Sequence, residues 1–421
     1  MTRKGFGLAA LGLLLAAATP RQAQAFCGFY VAAATGELYN DASQVIIARN
    51  GDRVTLSMLN NYRGDPAEFA LVVPVPPGIK KQDVKTIKAE LFAHLDQWSA
   101  PRLVEYWEQD PCYIPRPMPT KMMAGGAPTG ASRGDQERKL GVKIEAQFTA
   151  GEYDIVVLSA KESTGLETWL KQSGYNIPAG AAPILAPYIA AKTQFFVAKV
   201  NLKRLAEQQG GAGSTKKGLF LSPLQFGYKA TGEKIGLPIK LGMINGKGTQ
   251  DLILFMISMK GRFDVSNYET VKIPTDLDVP ESMKDKGKFG TFFLKMFDRE
   301  LAKKKGQAVF TEYAWPSGWC DPCSADPISA AQLQELGMGK MDQNYSPAFI
   351  TRLHARYSKE TFSKDLEFTE TSDQTNFQGR YIIRHPWKGK IKCKNPVRGR
   401  WGGQNGGGGI GPVGPVGTPR G

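Results

Sequence analysis

The sequence predicts a β-rich α+β protein, two β-sandwich-like lobes with a few short helices, and three observations predict it. Apolar residues alternate, or run continuously over strand lengths, in both halves of the chain. The 421 residues exceed one ordinary domain and suit two or three. A chain 42% apolar and 22% charged is globular, which excludes a disordered, collagen-like or heptad-repeat protein.

Residues 1–25 read as a cleaved signal peptide. Arg3 and Lys4 precede an apolar run from Gly5 to Ala18, Pro20 follows, and Ala23-Gln24-Ala25 places small residues around a cleavage site. The run is shorter than the roughly twenty residues that span a bilayer. Phe26 precedes Cys27 where a lipoprotein signal needs a small residue, so lipidation is not expected. The mature chain is expected outside the cytoplasm, periplasmic or extracellular.

The N-terminal lobe, 26–208, opens with a predicted hairpin: Ser43–Arg49, the turn Asn50-Gly51-Asp52, then Val54–Leu59. Phe69–Pro76 is a near-continuous apolar run, expected as a buried strand that its prolines end. Residues 89–98 look helical and finish before Pro101. The Pro-, Gly-, Met- and Ser-rich stretch 115–135 is expected as a loop. Thr164-Gly165-Leu166-Glu167 is a capping box, with Trp169 and Leu170 at helical spacing and Gly174 as the stop. Phe195–Val200 returns to strand, and the Gly-rich insert Gly210–Gly218 marks the expected domain boundary.

The C-terminal lobe, 215–400, is β-rich again at Leu237–Ile244, Leu252–Ser258 and Val309–Trp315. Ser329-Ala330-Ala331-Gln332 caps a short helix. In Phe349–Tyr357 apolar and cationic residues alternate, the pattern of a strand with one wet face. Residues 401–421, dominated by Gly and Pro, read as a disordered tail.

Charge is distributed unevenly. The formal +15 falls to +12 without the three cations of residues 1–25, and nine cations beyond Asp373, with no anion among them, leave the body at only +3. Arg384, Lys388, Lys390, Lys392, Lys394, Arg398 and Arg400 therefore form the expected contact for an anionic cell-envelope polymer or a membrane surface. Nucleic acid is not an expected partner, because no binding motif accompanies the charge.

Chemistry-bearing motifs are few. Trp319-Cys320-Asp321-Pro322-Cys323 has the spacing of a thiol–disulfide redox pair, yet Pro327 interrupts what would be its helix and no second Cys-x-x-Cys completes a zinc site. Five cysteines in an oxidising compartment cannot all pair. The expected bridges are Cys27 with Cys112, and Cys320 with Cys323 or Cys393. His94 falls on the apolar face of its helix, and His385 lies beside the basic segment. His354 alternates with Arg352 and Arg356, and the two arginines are expected to face Asp365 and Glu367 as a surface ion-pair ladder. Hydrolase-elbow, zincin, EF-hand and dinucleotide signatures are absent, and Gly242–Lys247 fails as a phosphate loop because Gly248 occupies its Ser/Thr position. No cofactor or metal site is predicted.

Several segments together resemble one family. They are Phe26-Cys27-Gly28-Phe29-Tyr30-Val31, Gly64-Asp65-Pro66 with Phe69–Pro76, Ser99–Tyr106, Gly151-Glu152-Tyr153-Asp154-Ile155, Thr164–Leu170, Thr311–Trp315 with Trp319–Cys323, and Asn376–Tyr381 with Arg384-His385-Pro386-Trp387. They are similar to the bacterial domain of unknown function 2330 family, over nearly the whole mature chain. The resemblance implies an exported bacterial protein with no assigned activity, and it supplies no catalytic residues. The functional expectation is a non-enzymatic extracytoplasmic binding or envelope-associated protein. The alternative is an exported thiol–disulfide oxidoreductase using Cys320 and Cys323, and a carboxylate hydrolase in a cleft between the lobes is compatible but unsupported.

Overall fold

The structure, a computed structural model, describes residues 29–32, 42–60, 69–112, 142–160, 163–175, 181–208, 221–244, 248–320, 323–340 and 347–403. The leader, Cys27, the 115–135 stretch, the 210–218 insert and residues 404–421 of the expected disordered tail lie outside those residues, whereas the first two residues of that expected tail, Trp401–Gly402, form a strand. Within them the chain is a β-rich α+β protein of several sheets.

Strands are numbered in chain order. A five-stranded antiparallel sheet runs β1 (Phe29–Ala32), β4 (Phe69–Val75), β9 (Gln194–Val200), β8 (Tyr153–Ala160), β7 (Val142–Ala150). The largest sheet runs β14 (Glu269–Lys272), β16 (Ala308–Pro316), β17 (Phe349–Tyr357), β12 (Gln250–Ser258), β2 (Ala42–Asn50), β3 (Arg53–Asn60), β10 (Leu224–Lys229), β5 (Val84–Thr86). The short β19 (Phe377–Gln378) adds to β16. A three-stranded sheet joins β11 (Lys234–Leu237), β18 (Leu366–Glu370) and β13 (Phe263–Val265). A four-stranded one joins β15 (Leu277–Asp278), β20 (Arg380–His385), β6 (Arg102–Glu108) and β21 (Trp401–Gly402).

The two large sheets pack face to face, as period-two alternation dictates. Phe69, Leu71 and Val73 of β4 share one core with Ile47 of β2, Leu56 of β3, Leu254 of β12 and Leu353 of β17. Ala70 and Val72, on the other side of β4, pack against α2 (Ser163–Gln172) and α3 (Ala181–Ala190), and α4 (Leu202–Gln208) follows β9. Both faces of β4 are thus covered, which explains its unbroken apolar run. The strand continues through Pro74 to Val75, where pairing with β1 has already ended at Val72 and only β9 remains alongside. On the outer face of the large sheet lie α1 (Glu90–Ser99), α5 (Lys288–Lys303) and the short α6 (Ala330–Leu333). Each fully buried Leu, Ile or Phe in these layers contributes about 1.5–3 kcal/mol.

Local signals mostly act as the sequence analysis expects, with instructive differences. β2 and β3 form the hairpin, but Asn50 stays paired with Arg53 and Gly51 alone takes positive φ, at +61°. Ser329 caps α6 in a reciprocal box with Gln332. The expected strand Leu237–Ile244 stops at Leu237, and Ile239–Ile244 forms 3-10 turns. β17 has no wet face: eight of its nine residues are buried, including Arg352 and His354, because α1 and α5 cover the side the alternation leaves polar. The insert expected to separate lobes 26–208 and 215–400 does not separate the sheets. β2, β3 and β5 share a sheet with β10, β12, β16 and β17, and β6 pairs with β20. Among the described residues, no helix is long and apolar enough to cross a membrane.

Candidate functional site

β6 and β20 run parallel, from Arg380 opposite Arg102 to His385 opposite Trp107. Val104, Tyr106 and Ile382 form the small core of this sheet, with Trp401 packed against it. His385 stacks on Trp107 with ring centroids 4.7 Å apart, and its Nε2 lies 2.7 Å from Glu105 Oε2. Pro386 then ends β20, having no N–H to continue the ladder.

Residues 386–400 return as a strap fastened to the end of β6. Glu108, nearly buried, clasps both ends of the strap. Its Oε2 accepts from Trp387 N at 2.9 Å and Arg398 Nη1 at 2.8 Å, and its Oε1 accepts from Gly399 N at 3.0 Å. Burial works against ionisation of Glu108, but the two amides and the guanidinium outweigh it and hold the carboxyl below its usual range. Val397 N donates to Pro111 O at 2.9 Å, and Gln109 N to Arg400 O at 2.8 Å. Cys393 is bonded to Cys112 in mid-strap, with Cα atoms 5.5 Å apart. Gly389 lies on the Trp387 ring, where an added Cβ would come within 2.5 Å of Cζ2.

The strap sorts the cations picked out from the sequence. Arg384 donates to Asp278 at 2.6 Å and lies over the Trp401 ring, Arg398 is held by Glu108, and Arg400 donates to Asp110 O at 3.0 Å. Lys388, Lys390, Lys392 and Lys394 are exposed, and none has an acidic partner among the described residues. The basic stretch is therefore four solvated ammonium groups on a pinned loop, with the arginines built into its frame.

The cysteines pair differently from the expectation in one respect. Cys112 is bonded to Cys393, so it is not available to Cys27. Cys320 is bonded to Cys323, one of the two expected options. A thioredoxin-like site needs its first sulfur at a helix N-terminus. Here the next helix starts only at Ala330 and is capped by Ser329, and the second sulfur, Cys323, is the more exposed of the two.

A second constellation, larger than the sequence suggests, lies on the outer face of the large sheet. Arg352, His354 and Arg356 project from β17 on the side opposite Leu353 and Ala355. The register of β16 slips between Thr311 and Tyr313, and the extra residue is Glu312, 1% exposed. A β-bulge re-aims a side chain, and this one sets the Glu312 carboxylate between two cations. Arg352 Nε donates to Glu312 Oε2 at 2.6 Å, and His354 Nδ1 lies 2.7 Å from Oε1. Asp251, directly opposite Arg356 in β12, lies 3.1 Å from His354 Nε2 and receives a two-pronged Arg356 contact at 2.7 and 2.9 Å. Asp96 of α1 takes Arg352, Asp298 of α5 takes Arg356, and Phe297 of α5 stacks on His354 at 4.1 Å.

These groups fix one another's charge. Burial disfavours the His354 imidazolium, but carboxylates at both ring nitrogens outweigh it and push the pKa up to about 9. Burial likewise opposes the Glu312 and Asp251 anions, and the neighbouring His354 and arginines win, holding both carboxyls low. Both ring nitrogens of His354 are thereby committed to carboxylates, Nδ1 to Glu312 and Nε2 to Asp251. The expected ladder to Asp365 and Glu367 is not formed. Asp365 accepts from Tyr188 Oη at 2.6 Å and Lys240 N at 2.9 Å, and Glu367 pairs with Lys234. Glu312 interrupting the apolar Val309–Trp315 run was the available signal: a charge within a buried strand needs a partner.

His94 is half-buried in α1, with Nε2 2.8 Å from Asp326 O and Nδ1 2.8 Å from Gln332 Nε2. Glu312, His385 and Cys323 each bond to separate partners: Glu312 to Arg352, His385 to Glu105, and Cys323 to Cys320 O. Among the described residues, no group of three or more His, Cys, Asp or Glu could hold a metal ion.

No curated protein matches the chain. Among solved structures, it is similar to a mutated baculovirus P35 after caspase cleavage, at 9% identity and TM-score 0.28 over 80% of this chain and 97% of that one. The crystal structure of baculovirus P35 gives 11% identity and TM-score 0.25 over 80% and 94%. Such scores are below those of a shared fold. The family comparison, by contrast, spans most of the sequence. The DUF2330 model, an uncharacterized protein conserved in bacteria, matches residues 21–369, and the chain belongs to that family.

Proposed function

We propose that this is a non-enzymatic, exported binding protein that attaches to an anionic surface of the bacterial cell envelope through the 386–400 strap. The observation that carries the reading is the set of four exposed lysines, Lys388, Lys390, Lys392 and Lys394, without an acidic partner among the described residues, on a loop fastened by Glu108 and the Cys112–Cys393 bond. A pinned loop loses little conformational freedom on docking. Each lysine near an anionic surface contributes about 1 kcal/mol, and the attraction decays within a Debye length, about 8 Å at physiological salt. The buried Glu312–His354–Asp251 network supports the non-enzymatic part, since its ionisable groups are spent on one another.

Removing everything after Asp373 is no clean test, because β20 lies between β15 and β6. The suitable variant replaces the four lysines by glutamine. Co-sedimentation with phosphatidylglycerol-containing vesicles should show binding at low salt, loss at high salt, and loss in the variant. Binding indifferent to salt and to the four substitutions would overturn the reading.

A further inference from the structure

Four lysines describe attraction to any polyanion, but the strap carries more than charge. Ile391 is 43% exposed and Val397 55% exposed, two of only six large hydrophobic side chains that stand out in solvent among the described residues. Both lie within the strap that bears Lys388, Lys390, Lys392 and Lys394. The backbone around them is held in place: Val397 N donates to Pro111 O, and the Cys393 bond falls two residues after Ile391. A soluble polyanion would gain little from two apolar tips left in water. A bilayer offers both halves of what the strap presents, phosphates in the headgroup layer and an apolar acyl boundary beneath.

From this we infer that the surface bound is an anionic lipid bilayer, with the four lysines at headgroup phosphates and Ile391 and Val397 in the acyl boundary. The inference rests on the binding reading above and narrows it to one partner. The strap is a shallow interfacial anchor: it enters the bilayer by two side chains and spans nothing. Charge then sets whether the protein reaches the surface, and the apolar pair sets how long it stays.

The test uses the full chain, its Ile391→Ser/Val397→Ser variant and the four-lysine-to-glutamine variant. The probes are phosphatidylglycerol/phosphatidylcholine vesicles and long-chain inorganic polyphosphate. Both substituted sites are exposed, so an unchanged melting temperature is expected and serves as the folding control. The serine variant should bind vesicles about tenfold more weakly, from the lost apolar burial, while binding polyphosphate like the wild type. The glutamine variant should lose both ligands. Full vesicle affinity in the serine variant, or wild-type binding to polyphosphate with none to vesicles, overturns the bilayer assignment and leaves the charge-based reading standing. Wild-type binding to neither probe overturns both.

Discussion

At His354 a single ring is held by Glu312, Asp251 and Phe297, so its protonation is coupled to folding. The imidazolium's pKa of about 9 lies above its ordinary 6.5. The stabilisation it provides is therefore complete below pH 6.5 and is lost as pH rises through 9, amounting to about 3 kcal/mol. The lowered carboxyls of Glu312 and Asp251 act in the opposite sense, stabilising above their unfolded pKa and failing as pH falls into the acid range. Urea denaturation across a pH series should show stability declining from pH 6.5 to 9, with that alkaline decline abolished in His354→Gln. A flat profile would mean that the ring is neutral. Glu312→Gln leaves Arg352 and His354 facing an uncharged amide and should cost about 3–5 kcal/mol in the same assay. The residue types and their spacing on β17 were legible in the sequence, but their partners were not. Asp251 and Glu312 come from strands 105 and 40 residues away from the side chains they bind, and the bulge that aims Glu312 leaves no mark on a period-two pattern.

Among the elements, α5 and the strap explain most of what the pattern reading missed. Polar alternation on β17 reads as a wet face only if nothing covers it, and α5 covers it with Phe297 while Asp298 meets Arg356. The hairpin β2–β3, the helices α1 and α2 and the cap of α6 were readable because their signals are local: a Gly turn, capping residues, apolar spacing. Strap geometry was not readable, because it depends on Glu108 and Cys112, roughly 280–290 residues distant from their partners. Removing the Cys112–Cys393 bond by Cys112→Ser/Cys393→Ser should lower stability by about 2–4 kcal/mol. Hydrogen exchange at the Trp387 and Gly399 amides should quicken as well, since only hydrogen bonds and ion pairs, those of Glu108 among them, would then hold the strap. Unchanged protection at both amides would show that the bond does not position it.

On the scale of the whole molecule, the sheets interleave early and late segments. β12 lies between β17, paired antiparallel, and β2, paired parallel, so the centre of the large sheet joins residues some two hundred positions apart. A polypeptide ending at residue 208 would leave β2 and β3 without β12 and β10, exposing strand edges and the shared core. Fragments 26–208 and 215–400, expressed separately, should therefore lack cooperative thermal transitions, whereas the full chain should show one. Two independent transitions in calorimetry would restore the two-lobe division that composition suggests. That β-rich architecture was legible from strand-length apolar segments; the mixing of the halves was not, because pairing partners are set by tertiary packing rather than by local pattern.

The same wholeness places the cationic strap on a stiff platform, and the affinity for anionic vesicles, followed through a salt series, addresses the role of that strap most directly. Association should be tight at low salt and weaken steadily as salt rises, and a four-lysine-to-glutamine variant should be weak at every salt concentration. Equal affinity of the two proteins across the series would contradict that role for the strap.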